Sequence, residues 1–189
     1  MSILICEEDF DLTTEVAGLR AGHPEVGAVV AFVGSVRDMN DGAQVAEMTL
    51  EHYPGMTEKS IQAIVDQARA RWTLFGTRVI HRIGALAPQA QIVLVAVTAA
   101  HRGEAFAACE FIMDYLKTEA PFWKKELTPA GARWVDARVT DDGALKKWRS
   151  AELPTRSGVL PDDAAHAADD AHQTDGTGSA HGTRSAAVP

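Results

Sequence analysis

Along residues 1–149 the apolar positions change period from two to about 3.6 and back, and each change marks an element. Ile3–Ile5 reads as a short strand and Leu12–Arg20 as a short helix. Val26–Val36 carries apolar residues at both parities, the pattern of a strand buried on both faces. The polar run Arg37-Asp38-Met39-Asn40-Asp41-Gly42 has the chemistry of a loop. From Val45 to His52 the chain alternates, with Ala46, Met48 and Leu50 set against Glu47, Thr49 and Glu51, so one face of a strand is buried. Pro54-Gly55 turns the chain and Thr57 is placed to cap a helix, whose Ile61, Ile64, Val65, Ala68 and Trp72 form one stripe. Thr77–Ile83 and Gln91–Ala99 are two further strands, joined through Gly84–Ala90. Gly103–Thr118 is the second long helix, with Phe106, Cys109, Ile112, Met113 and Leu116 facing inward. Arg133–Val139 reads as a last strand and Ala144–Trp148 as a short helix. The pattern predicts an α+β domain: a largely antiparallel sheet with two long helices packed on one face.

Residues 150–189 break this pattern. They are rich in Ala, Asp, Gly, Ser, Thr and Pro, lack any aromatic residue, and read as a disordered tail. Of the formal net charge of −8, half lies in this tail, which holds six acids and two arginines. The patterned part is therefore only mildly acidic and has room for a local basic pocket, while the overall charge argues against nucleic acid as a partner. Cys6 and Cys109 form no Cys-x-x-Cys motif and no disulfide framework, no leader pattern opens the chain, and no apolar run reaches the length of a membrane span. A reducing cytoplasm is the expected setting. Cys109 falls on the inner stripe of its helix and reads as a core residue.

The candidate chemistry gathers at Asp114-Tyr115-Leu116-Lys117-Thr118-Glu119-Ala120-Pro121-Phe122-Trp123-Lys124-Lys125-Glu126. Pro121 forbids a continuous helix, so the expectation is a helix ending near Thr118 and a turn bringing Lys124 back towards Lys117. Phe122 and Trp123 would supply an apolar wall. A lysine beside such a wall and beside another cation has its ammonium destabilised, which makes it a nucleophile or a general acid and base. The same residues also fit a helix end decorated with cations that favour its dipole. Two further basic clusters sit at strand ends: Arg37, and His101-Arg102 before the helix start at Gly103. Brought together on one rim with the helix amides, these groups would bind a phosphate or carboxylate. His52, His81 and His101 have no spacing diagnostic of a metal site, and His166, His172 and His181 in the tail match no compact site either.

Several of these strings together resemble a known family. Phe32-Val33-Gly34-Ser35-Val36-Arg37-Asp38, Leu50-Glu51-His52-Tyr53-Pro54-Gly55-Met56-Thr57-Glu58-Lys59, Val79-Ile80-His81-Arg82-Ile83-Gly84 and Ala100-His101-Arg102 are similar to the catalytic large subunit of molybdopterin synthase. So are Phe111 through Lys117 and Ala120-Pro121-Phe122-Trp123-Lys124. The resemblance runs from about Val26 to about Trp148. It implies the family's α/β hammerhead-type fold over residues 1–149. The activity it implies is transfer of sulfur to cyclic pyranopterin monophosphate, forming the dithiolene of molybdopterin. The donor would be the C-terminal Gly-Gly thiocarboxylate of a small ubiquitin-like carrier, in a heterotetramer built on a large-subunit homodimer. No metal and no cofactor are implied. Carried over by position, Lys117 lies at the reacting centre, with Lys124 beside the pterin. Arg37, His101 and Arg102 take the anion, and Lys125, Glu126 and Arg138 are further substrate-binding candidates. The residues alone leave two rivals: a phosphoesterase built on Glu51, His52 and His101, and a scaffold that only binds the carrier.

The composition of the tail generates a first prediction. Deleting residues 150–189 leaves the melting temperature and the activity near those of the full chain; a large drop in melting temperature in a thermal scan of the truncated chain would refute it.

Overall fold

The computed structural model describes residues 2–40, 42–135 and 145–148. Its elements run β1 (Ile3–Cys6), α1 (Leu12–Arg20), β2 (Ala28–Ser35), β3 (Met39–Asn40), β4 (Ala43–Gln44), β5 (Glu47–His52) and α2 (Met56–Arg71). They continue with β6 (Leu74–Arg82), β7 (Gly84–Leu86), β8 (Gln91–Ala99), α3 (Arg102–Glu119), β9 (Phe122–Thr128) and β10 (Gly131–Val135). Two four-stranded sheets replace the single sheet expected, in the orders β1-β6-β8-β2 and β10-β9-β5-β7; β3 and β4 pair in a small ribbon. All pairings are antiparallel except β1 with β6.

The strand buried on both faces is β8, not the Val26–Val36 segment. In β8 the side chains of Val93, Val95, Val97 and Ala99 enter the main core with α2 and α3, while Leu94 and Ala96 face Phe10, Ile80 and Leu19. β2 lies at the sheet edge, and Ala31 and Phe32 are exposed. An apolar run at both parities marks double burial only in a central strand, and edge position is not encoded in that run. The two long helices share one face as expected, while α1 contacts β6 and β8 from the other side.

Helix α2 is capped differently from the sequence expectation. Gly55, at φ 79, is the N-cap, and its N–H donates to Glu58 Oε2 at 2.6 Å. Thr57 is already inside the helix; its hydroxyl accepts from the Tyr53 N–H at 3.1 Å and lies 3.2 Å from the Pro121 carbonyl, tying α2 to the start of β9. In α3 the buried stripe runs through Ala105, Ala108, Ile112 and Leu116, so Phe106, one position round, is 62% exposed rather than inward. Cys109 is buried as expected, and burial pushes its thiol up to about 11.

Helical residues 145–148 close the core: Trp148 packs edge-on against Trp72 and Phe111, and its indole N–H donates to Asp114 Oδ2 at 2.7 Å. Lys147 pairs with Glu110. The strand expected over Arg133–Val139 starts earlier, at Gly131, and is described as far as Val135; Arg138 and residues 150–189 lie outside the described residues. Trp148→Ala removes a buried aromatic and orphans Asp114, so it should destabilise the fold by about 3–5 kcal/mol. Urea unfolding followed by fluorescence checks this.

Candidate active site

A cavity of about 700 Å³ opens between the sheets under the C-terminal half of α3. Its helical wall is Met113, Leu116, Lys117 and Ala120, residues at i, i+3, i+4 and i+7, hence one face of one helix. Pro121 forces Ala120 to φ −81, ψ 126, and α3 stops at Glu119. The chain does not fold back in the turn expected; it runs directly into β9. There the period becomes two, so Phe122, Lys124 and Glu126 face the cavity. Lys117 and Lys124 thus line one chamber from a helix end and a strand, Lys117 exposed at the rim and Lys124 partly buried.

The same alternation excludes two expected neighbours. Trp123 is 48% exposed on the outer face of β9, so of the expected pair only Phe122 faces the cavity, where Phe32 also lines the wall. Lys125 also points outward, its ammonium over the Trp134 ring at 5.6 Å. Arg37 does reach the cavity, from the loop after β2, as do Asn40 and Glu126.

His101 and Arg102 are elsewhere. β2 pairs antiparallel with β8, Ala28 opposite Ala99 and Ser35 opposite Gln91. Arg37 therefore leaves one end of the sheet and His101 the other, about 23 Å apart for seven residues of strand. Along α3, Arg102 and Lys117 are separated by a rise of about 22 Å. The expectation that Arg37, His101 and Arg102 meet on one rim fails within a single chain, because antiparallel neighbours deliver their C-terminal ends to opposite edges. The Glu51, His52 and His101 cluster fails for the same reason, since His52 pairs with Phe122 at the far end of α3 and Glu51 faces outward. Among the described residues no group of His, Cys, Asp and Glu is placed to hold a metal ion.

His81, a candidate beside Arg82 in the sequence with no role assigned to it, lines the cavity on β6. Its ring stacks on Phe122 with centroids 3.7 Å apart, and Nδ1 lies 2.8 Å from the Arg82 carbonyl. A carbonyl only accepts, so Nδ1 carries the proton and the neutral ring keeps Nε2 as its acceptor. Burial, with His52 nearby adding repulsion, lowers its pKa to about 4 despite that bond. An alternating strand places a His inward without revealing that it will stack, so no sequence signal marked this role.

The two-sheet α+β domain with lysines on a cavity between the sheets defines a class that comparison makes specific. The family profile described as "MoaE protein" matches residues 5–119. The molybdopterin synthase catalytic subunit of Ralstonia nicotianae is 67% identical over 147 residues, covering 78% of this chain and 84% of that protein. The structure of the molybdopterin biosynthesis MoaE protein from Burkholderia ambifaria superposes with a TM-score of 0.69 at 58% identity, over 79% of this chain and 99% of that one. At 18% identity, a chain in the complex of subunits 1 and 2 of molybdopterin-converting factor from Helicobacter pylori shares the fold, with a TM-score of 0.62 over 73% of this chain and 92% of that one. The chain belongs to the MoaE protein family. No described helix is long and apolar enough to cross a membrane.

The His81 pKa yields a pH prediction. The folded pKa lies below the usual 6.5, so the neutral ring's contribution is fully present above pH 6.5. It is lost as pH falls towards 4, where the unfolded chain binds a proton that the native chain refuses. The loss over this window is about 3 kcal/mol at most, and the cleanest part is pH 6.5 to 5, before carboxylates titrate. Urea unfolding free energies should fall over that range in the native sequence and fall less in His81→Gln; parallel curves would refute the assignment.

Proposed function

We propose that this cavity carries sulfur transfer from the C-terminal thiocarboxylate of a small ubiquitin-like carrier to cyclic pyranopterin monophosphate, forming the dithiolene of molybdopterin. The observation that carries the reading is the convergence of Arg37, Lys117 and Lys124 on one chamber from a loop, a helix end and a strand. Both ligands bring anions, the phosphate of the pterin and the thiocarboxylate of the carrier. A chain of net charge −8 accepts them only where cations are gathered locally. The relatives' name, molybdopterin synthase catalytic subunit, supports the same chemistry.

In this reading the ammonium groups of Lys117 and Lys124 hold the incoming thiocarboxylate and the pterin beside each other. Lys117 serves the reacting centre, giving or taking a proton as the thiocarboxylate sulfur attacks the pterin and as water then cleaves the acyl–sulfur bond, leaving the sulfur on the pterin and releasing the carrier as a carboxylate. Lys124, on the strand beside Phe122, orients the pterin, and Arg37 takes the phosphate by charge-assisted hydrogen bonds. Glu126 keeps its place among the substrate-binding candidates only as a support for these cations, Lys125 is a peripheral candidate, and Arg138 stays a candidate by resemblance alone. The cytoplasm is the proposed setting, consistent with two free cysteines.

His101 and Arg102 enter this scheme only from a second copy. They are too far from the cavity of their own chain, so a phosphate held by Arg37 meets them only if the large subunits form a symmetric dimer that lays one chain's α3 start against its partner's cavity. The proposed assembly is that homodimer with one small carrier subunit at each end.

Lys117→Ala should abolish dithiolene formation, with thermal stability unchanged because the side chain is exposed. Arg102→Ala should lose most activity through weakened substrate binding. Mixing the two inactive variants tests the shared site: random redistribution into dimers leaves one intact site in each mixed dimer, so about a quarter of the native activity returns. Recovery of none places Lys117 and Arg102 in one chain's site and refutes the shared arrangement. Near-native turnover by Lys117→Ala alone removes that residue from the reaction.

A further inference from the structure

One wall of the cavity carries a hydrogen-bonded polar chain in which Asn40 has no part in the proposed chemistry. Glu126, 1% exposed, accepts from Asn40 Nδ2 at 2.8 Å on one carboxylate oxygen and from Arg133 Nη2 at 3.1 Å on the other. Arg133 Nη2 also donates to the Asn40 carbonyl at 3.1 Å. Asn40 is itself 4% exposed, and its Oδ1 accepts from Arg37 Nη2 at 2.9 Å. We propose that Asn40 is a positioning residue, which couples the buried Glu126 carboxylate to the Arg37 guanidinium and so aims Arg37 into the cavity.

The chemistry of the groups fixes the direction of this relay. A carboxylate only accepts and a guanidinium only donates, so the amide between them must turn its NH₂ to Glu126 and its oxygen to Arg37. A direct Arg37–Glu126 pair would also hold the arginine, but it would neutralise the cation that has to take an anion. With an amide interposed, Glu126 orients Arg37 without occupying it, while Arg133 balances the buried charge from behind. The two-residue strand Met39–Asn40, paired with Ala43–Gln44, holds Asn40 at this point. Both oxygens of Glu126 are engaged by the protein, which assigns it to support rather than to contact with an anionic substrate.

The inference rests on the reading of the cavity as an anion-accepting site, and the test separates the two. The first measurement needs no substrate: the guanidinium N–H resonances of Arg37 in isotope-labelled protein. Asn40 should hold them in slow rotation in the native chain, and Asn40→Ala should collapse them to averaged signals. Unchanged Arg37 order in that variant overturns the proposal. In the second, affinity for cyclic pyranopterin monophosphate should fall about ten-fold in Asn40→Ala, the scale of one charge-assisted hydrogen bond. In an Arg37→Ala background the same change should cost nothing further; an equal loss in both backgrounds overturns the relay.

Asn40→Ala strips a donor from a buried carboxylate and risks unfolding. The paired variant Asn40→Asp with Glu126→Gln exchanges donor and acceptor between the two positions and leaves an acceptor facing Arg37. It should restore Arg37 order while leaving affinity low, because the carboxylate now paired with Arg37 neutralises the cation; Asn40→Asp alone sets two carboxylates together and should not restore order. A folded paired variant with a disordered Arg37 overturns the proposal. If the native chain forms no dithiolene while Arg37 order still follows Asn40, the functional reading falls and the positioning role stands.

Discussion

Pro121 is the constraint on which the cavity depends. It cannot be accommodated in α3, and it pushes Ala120 out of helical angles, so the chain changes period within two residues. Before it, inward positions recur at three and four residues; after it, they recur at two. A lysine on each side of the break can then face one chamber although the two elements run in different directions. Thr57, reaching from α2 to the Pro121 carbonyl, holds the junction against that first long helix. Few single positions in a chain decide both where a helix stops and which side of the next strand is chemically active.

The antiparallel pairing of β2 and β8 imposes the other large-scale consequence. Strand polarity sends Arg37 and His101 to opposite edges of the first sheet, and the length of α3 separates Arg102 from Lys117 by about 22 Å. Gly27, whose Cβ would sit 2.2 Å from the Ala100 carbonyl, keeps the β8–α3 junction tight against the start of β2. The cationic edge at the α3 start is thus fixed in place, far from its own cavity. Cations that are distant within one chain become neighbours only through symmetry, and an isologous contact supplies that twice over.

Most of this fold was legible in the residues, because strand and helix periods differ and the segments are strongly patterned. The two long helices, the core position of Cys109 and the half-buried β5 all follow from spacing alone. What periodicity cannot reveal is which strand is central, and so Val26–Val36 looked as buried as Gln91–Ala99. Nor could it reveal that the segment after Pro121 is a strand: Phe122-Trp123-Lys124-Lys125-Glu126 has an apolar pair and a lysine pair, which hides the alternation. Once β9 forms, that ambiguity resolves into Phe122, Lys124 and Glu126 inside and Trp123 and Lys125 outside. The charged partners at the anion edges were legible as residue types but not as neighbours, since adjacency depends on strand direction.

The electrostatics of the cavity follow from depth. Lys117 and Arg37 stand exposed at its rim, where water screens them and long side chains can reach an arriving anion. The carboxylate is the deep group, and each of its oxygens accepts a hydrogen bond from the protein. Reversing this order would fail twice: a deep lysine without a partner would shed its proton, and a carboxylate at the rim would repel both ligands. His81 completes the arrangement because burial holds its ring neutral. It packs flat against Phe122 and adds an acceptor without adding a competing cation. The cavity therefore presents positive charge where a ligand arrives and a neutral aromatic wall where a flat ring would lie, with the buried Glu126 carboxylate as a brace beneath them.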